Sequence, residues 1–314
     1  MGLERAGFGH EALVEIEPIA CATLKANRPS WNVTCGDVRD VDGKNFRGID
    51  LVAGGVPCPP FSVAGKQLGS DDARDLFPSA LRIVEQAKPR AVILENVPGL
   101  ASNRFEEYRS GVRAALERMG YFVRWETLNA CDFGVPQLRP RFVLVALQRR
   151  FLPFFEWPAV RQDAPTVGAA LRDLMSSRGW LGADAWAVRA NGIAPTLVGG
   201  SKLHGGPDLG PTRAKQQWRA LGVDGAGIAD LPPGPEHESA YIPKLTVRMA
   251  ARIQGFPDSW AIEGRKTASY RQVGNAFPPP VAAAVGAAVR CALEEWNLGD
   301  YRRESPGVAI AASS

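Results

Sequence analysis

Short apolar runs of strand length alternate with amphipathic stretches across residues 12–147. The runs are Ala12–Glu17, Val33–Asp37, Asp50–Gly54, Ala91–Glu95, Tyr121–Leu128 and Phe142–Leu147. Between them, Ile19–Asn27, Asp75–Ala87 and Phe105–Met119 carry helical spacing, the second closed by Lys88-Pro89 and the third by Gly120. Strands alternating with helices in this way predict an α/β fold, a doubly wound and mostly parallel sheet of the Rossmann-like kind.

After about Pro153 the pattern changes to segments interrupted by Gly and Pro, with isolated tryptophans at Trp157, Trp180, Trp186 and Trp218 and no long periodic helix. This predicts a second, smaller and irregular lobe with the tryptophans in its core. Order returns at Thr246–Gln254, and Pro278-Pro279-Pro280 opens an alanine-rich helix over Val281–Trp296 that docks back on the first lobe. The predicted division is 1–160, 161–264, a returning segment 265–298, and a disordered tail 299–314 of small and polar residues.

Composition changes this picture little. A net charge of +4 and a pI near 8.9 permit nucleic-acid binding through local basic patches without requiring it. The longest apolar runs look too short for a membrane span, and no basic segment with a following apolar stretch opens the chain, so a cytoplasmic protein is expected. Cys21, Cys35, Cys58, Cys131 and Cys291 show neither Cys-x-x-Cys spacing nor a disulfide framework, so no metal is expected. Apart from Cys58 they read as small buried hydrophobes. His10, His204 and His237 lie outside every motif, which argues against a Ser-His hydrolase.

The candidate chemistry sits at two strand ends. Pro57-Cys58-Pro59-Pro60 follows the run ending at Gly54-Gly55, which holds a cysteine rigidly where a strand emerges. Ala91-Val92-Ile93-Leu94 leads into Glu95-Asn96-Val97-Pro98, so an acid is delivered at the same sheet edge. A nucleophile and a proton donor then meet in one cleft.

Pro57-Cys58-Pro59-Pro60-Phe61-Ser62 with Glu95-Asn96-Val97 resembles the cytosine-C5 DNA methyltransferases. The resemblance continues through Gln137-Leu138-Arg139-Pro140-Arg141, the run Arg248 to Pro257, and Gln272-Val273-Gly274-Asn275 with the helix behind it. It implies methyl transfer from S-adenosylmethionine to C5 of cytosine in double-stranded DNA, through a covalent adduct between Cys58 and C6 and a base swung out of the duplex. It implies a recognition role for the second lobe. Cys58 is then the nucleophile, Glu95 the acid at N3, Arg141 the residue at the pyrimidine O2, and Arg139 the one that orders the cysteine loop and Glu95.

Carried over residue by residue, the donor site comprises Glu15 and Ile16 at the ribose and adenine, Asp37 and Val38 at the adenine edge, Pro57 and Leu76 along the pocket, and Asn275 and Ala276 at the amino-acid end. Asp37 also reads as a plain turn former. The loop after the cysteine, with Ser62, Gly65 and Lys66, resembles the one that closes over DNA. Its Gly65-Lys66 lacks the Ser/Thr and the first glycine of a phosphate loop. Thr196 and Leu197 resemble a short marker of the recognition region, with core packing as the other reading.

One part of the resemblance is missing. The family opens with a strand and a Phe-x-Gly-x-Gly turn that hold the donor, whereas Met1 to Phe8 resembles the helix after that turn. The expectation is that Met1 is an internal methionine of a gene that begins upstream. Without that strand, the runs at 12–17 and 50–54 become two inner edges roughly 10 Å apart. A tRNA cytosine-C5 methyltransferase and an inactive DNA-binding relative are the alternatives, though the tRNA branch's Cys-Phe-Thr signature is not found. The expected partners are DNA and a cognate restriction endonuclease, for a monomeric protein of a bacterial restriction-modification system.

Overall fold

A computed structural model describes residues 1–57, 75–160, 164–199 and 207–304, the last eight by backbone alone. Its centre is β4, Ala91–Asn96, where four consecutive apolar residues are all buried. Because side chains alternate along a strand, Ala91 and Ile93 face one layer, and Val92 and Leu94 the other. The order is β3 (Leu51–Gly55), β4, β6 (Pro140–Gln148) and β5 (Tyr121–Asn129).

Val92 and Leu94 share a core with Leu144 of β6, Phe77 and Val84 of α3 (Phe77–Ala87), and Val112 and Leu116 of α4 (Glu106–Arg118). On the opposite face Ile93 and Val145 meet Val281, Val285 and Val289 of α10 (Pro279–Glu304). The sheet is therefore covered on both sides, as the sequence predicts. It is mixed rather than mostly parallel: β3 and β4 run parallel, while β6 is antiparallel to both β4 and β5. The reason is the connection after β5, which turns the chain straight back through residues 130–139. A parallel return needs a longer crossover.

After the short α1 (Gly2–Arg5), the other two expected strands, β1 (Leu13–Glu15) and β2 (Val33–Cys35), form a separate parallel pair joined by α2 (Pro18–Asn27). Leu13 N–H donates to Asn32 O, and Glu15 O accepts from Gly36, so Val14 turns its backbone groups away from β2. In β3, Asp50 O and Val56 N–H bond to β4, so Leu51, Ala53 and Gly55 turn theirs away from it. Among the described residues no strand lies on either of these two edges.

Residues 167–273 build a further apolar core of their own. Trp180, Trp186 and Trp218 are buried there, as expected, and Trp157 packs against the α10 layer. The segment holds more helix than its punctuation suggests: α5 (Val167–Ser176), α6 (Ala183–Arg189) and α7 (Thr212–Ala220), followed by α8 (Val247–Ile253) and α9 (Lys266–Asn275). In α5 the buried Val167, Leu171 and Met175 recur every fourth residue, a legible signal masked by the short length of the run.

Three smaller expectations are corrected. Helix α10 continues to Glu304, into the expected tail. Cys35 and Cys291 are exposed, while Cys21 is buried. Residues 266–296 are apolar and helical enough to cross a membrane by length and composition, contrary to the reading of the runs. They form two helices, and α10 lays Val281, Val285, Val289 and Ala292 into the core.

Candidate active site

The ends of β3 and β4 lie side by side, with Gly55 opposite Glu95. Val56 N–H donates to Glu95 O at 3.1 Å, and Asn96 Nδ2 donates to Val56 O at 2.6 Å. The buried Asn96 thus fixes the backbone immediately before Pro57, whose carbonyl accepts from Leu76 N–H at 3.2 Å. Cys58 lies outside the described residues, as do Ser62, Gly65 and Lys66. Its neighbour Pro57 is exposed at this edge.

Glu95 and Arg141 come together here. Glu95 pairs with Val143 across the β4–β6 ladder, and Arg141, two residues earlier, occupies the same face. Arg141 Nε lies 2.7 Å from Glu95 Oε1, with the side chains 9% and 13% exposed. Burial pushes the Glu95 carboxyl above its ordinary range, and the charges of Arg141 and Arg139 oppose but do not cancel that push. The same burial lowers the Arg141 guanidinium. Gly55 leaves the carboxyl room, since a Cβ there would sit 3.2 Å from Glu95 Oε2.

Arg139 is held by backbone carbonyls of two later segments. Its side chain is fully buried and donates to Leu197 O and Gly274 O, both at 2.5 Å, and to Ala276 O at 3.1 Å. Its charge also acts on Glu95. The interaction follows from its position just before β6, where the chain crosses the core of residues 167–273.

The expected donor residues occupy the carboxyl ends of the parallel strands. Glu15 pairs with Cys35 across β1–β2, so Ile16 and Asp37 emerge at one edge, with Ile16 60% exposed. Glu15 Oε1 accepts from Glu17 N–H. Asp37 is engaged locally: it accepts from Arg39 N–H and ion-pairs with the Arg39 guanidinium, which holds its carboxyl down at about 2. This is the turn-former geometry. Val38 and Leu76 are half-buried, and Asn275 is exposed beside the half-buried Ala276.

The recognition marker divides. Thr196 Oγ1 donates to Leu138 O at 2.5 Å from a half-exposed position. Leu197, expected at DNA, is fully buried in the core of residues 167–273, so its side chain packs and does not face a duplex. Two buried amides, Gln137 and Gln254, were assigned no role from the sequence although both stand inside motifs. Their signal was polarity within otherwise apolar or structural runs.

The comparisons with known proteins agree with this geometry. A family model described as C-5 cytosine-specific DNA methylase matches residues 1–291. The Type II methyltransferase M.NaeI of Lentzea aerocolonigenes is 58% identical over 306 residues, covering 96% of this chain and 74% of that protein. M.NgoMIV of Neisseria gonorrhoeae, also a Type II methyltransferase, is 50% identical over 306 residues, covering 95% of each. In fold, the chain is similar to a putative DNA modification methyltransferase encoded within an E. coli prophage, with TM-score 0.64 and 22% identity over 93% of this chain and 95% of that one. Motif order, the strand-end acid and its arginine, the family match and two relatives of at least 50% identity along nearly the whole chain all agree: the chain belongs to the C-5 cytosine-specific DNA methylases, enzymes that methylate DNA cytosine at C5.

Proposed function

We propose that Cys58, Glu95 and Arg141 carry the methyl transfer, with S-adenosylmethionine as donor and a cytosine flipped from double-stranded DNA as acceptor. The observation that supports this most is the buried Glu95–Arg141 pair at the edge from which Pro57 leads into Cys58. C5 of cytosine is too electron-poor to attack a methyl sulfonium unaided. The Cys58 thiolate adds at C6, and the electron pair moves towards N3 and O2. Glu95, its carboxyl favoured in the protonated form by burial, donates at N3. Arg141 holds O2 from the adjacent strand. The resulting enamine carries the electron pair at C5 that takes the methyl group. Loss of the C5 proton to a base then expels the thiol and restores the ring.

The strand-end residues suit an adenosine: Ile16 is open just past the end of β1, next to Glu15, and Asp37 follows the end of the paired β2. When bound, the donor supplies an electrophilic methyl on sulfur. Glu15 would hold ribose hydroxyls, and Asn275 and Ala276 the amino-acid end. We also assign the recognition of DNA to residues 161–264 and the catalytic lobe to 1–160 with 265–298, in a monomeric cytoplasmic enzyme paired with a restriction endonuclease.

The test has two steps. Bisulfite sequencing of DNA from a methylation-free host expressing the chain identifies the modified site. A duplex carrying 5-fluorocytosine at that site, which cannot lose its C5 substituent, is then incubated with the enzyme and S-adenosylmethionine. A covalent complex that Cys58→Ala abolishes is the expected result. An unmodified host genome, or an adduct that survives Cys58→Ala, would overturn the proposal.

A further inference from the structure

Gln137, Arg139 and Gln254 are all fully buried, and their polar groups form one network between three separate parts of the chain. Gln137 Oε1 accepts from Leu197 N–H at 2.8 Å, and Arg139 Nη1 donates to the carbonyl of the same residue. Both backbone groups of Leu197 are thus held by side chains that immediately precede β6. Gln137 Nε2 donates to Gln254 Oε1 at 2.6 Å, and Gln254 Nε2 donates to Ala276 O at 2.6 Å. Arg139 reaches Gly274 and Ala276 in the same turn.

The backbone adds to the lock. Leu138 N–H donates to Ala194 O at 2.7 Å, and Ala194 N–H donates to Pro136 O at 3.0 Å, so residues 194–197 are zipped onto residues 136–139. Gly199 and Gly274 cross in contact: a Cβ on Gly274 would sit 2.6 Å from Gly199 Cα, and one on Gly199 would sit 2.0 Å from Asn275 Oδ1. Only two glycines permit that crossing. Arg141 lies two residues beyond Arg139 on the same short stretch.

We propose that Gln137 and Gln254 are positioning residues that fix segment 194–199 of the recognition lobe against the base-holding strand, so that placement of that lobe on DNA sets the placement of Arg141. The inference rests on the function proposed above and adds a source of fidelity that touches no base. Each amide uses its oxygen and its nitrogen within the network, so the segment and the strand cannot shift independently without leaving buried polar groups unmatched. A lobe seated on a wrong sequence therefore misplaces the arginine at O2, and the chemical step slows. Discrimination then appears in the rate of methyl transfer as well as in DNA affinity.

The experiment uses the full chain in a host without cytosine methylation and reads 5-methylcytosine across the genome. The quantity measured is the ratio of methylation at the principal site to that at sites with one mismatch. Read at an expression level where neither class of site is saturated, this ratio is independent of how much enzyme folds. Gln254→Met is expected to lower it on the order of tenfold, corresponding to one decade of lost discrimination. Gln137→Met should do the same, and the double variant should add little, because the two amides act through one connected network. Gln254→Glu is a milder break of the same link, keeping the acceptor for Gln137 and losing the donor to Ala276, and should fall between. A uniform fall in methylation with the ratio unchanged in all these variants would overturn the inference while leaving the proposed chemistry intact. No methylation by the unaltered chain would instead overturn that chemistry.

Discussion

Two arginine–carboxylate pairs stand at strand ends in this molecule, and they behave in opposite ways. Asp37 and Arg39, two residues apart after β2, meet at the surface, and the cation holds the carboxyl down at about 2. Glu95 and Arg141, on neighbouring strands, meet at a similar distance with little access to water, and the carboxyl is pushed up. The chemistry of the partners is the same. What differs is solvent: at the surface the loss of hydration is small and the cation decides, whereas in the cleft desolvation exceeds the attraction. An ion pair alone therefore does not say whether an acid is ready to donate a proton.

The largest expected effect comes from removing the buried acid. Glu95→Gln should lower kcat on the mapped site by about 10²–10⁴-fold, the usual range for one acid–base group. Asp37→Asn should alter the apparent KM for the donor and leave kcat within a few-fold, since the chemical step makes no use of it. Equal falls in kcat for the two variants would erase the distinction between the pairs.

Next in size is stability. Arg141→Met leaves a carboxyl buried without its cation and should cost about 3–5 kcal/mol at neutral pH by urea unfolding. Much of that loss should return on acidification, because protonating Glu95 removes the uncompensated charge. The recovery is the informative part, since a cavity alone would give a loss indifferent to pH.

Acid dependence gives a third, smaller contrast. The folded Glu95 carboxyl titrates above its ordinary 4.5, so its contribution to stability is complete below that value and is lost as pH rises through the raised one. The rate limb due to Glu95 falls in the same direction, because the protonated form is the donor. Asp37 titrates below its ordinary 3.8, so its contribution is present above that value and is lost as pH falls towards about 2. Reversal of the Glu95 limb in a pH–rate profile would mean that the carboxylate, not the acid, is the working form. Smallest of all, Arg39→Met should shift the melting temperature too little to separate from the parent at physiological salt, as exposed pairs generally do.

Much of this was legible in the sequence because the strands of the central layers carry strong local signals. Ala91-Val92-Ile93-Leu94 can hardly be anything but a covered strand, and the Pro-Cys-Pro-Pro and Glu-Asn-Val elements are compact enough to mark both halves of a cleft. What was not legible depends on partners distant along the chain. Nothing near Arg139 indicates that its acceptors are the carbonyls of Leu197, Gly274 and Ala276, 58 to 137 residues away. For Leu197 the short motif left a DNA-facing role and core packing both open, and the structure places it in the core. The direction of β6 was likewise unreadable from periodicity, which is identical for parallel and antiparallel strands. Asp37 shows the reverse case, a local turn signal that the structure honours.

The division of the sheet has a mechanical consequence. Val14 on one edge and Ala53 and Gly55 on the other turn backbone groups away from their own sheets, and among the described residues no ladder crosses from β2–β1 to β3–β4. The smaller pair is tethered through side chains instead: Asn27 exchanges two hydrogen bonds of 2.8 Å with Ala261, and Thr23 accepts from Glu263 N–H. A two-stranded pair with three residues in each strand is expected to exchange its amides before β4 and β6 do. Glu15 and Asp37 ride on that unit, while Pro57 and Leu76 ride on the larger one. A molecule that touches both sets would bridge the two, and its binding is expected to register first as slowed amide exchange in β1 and β2.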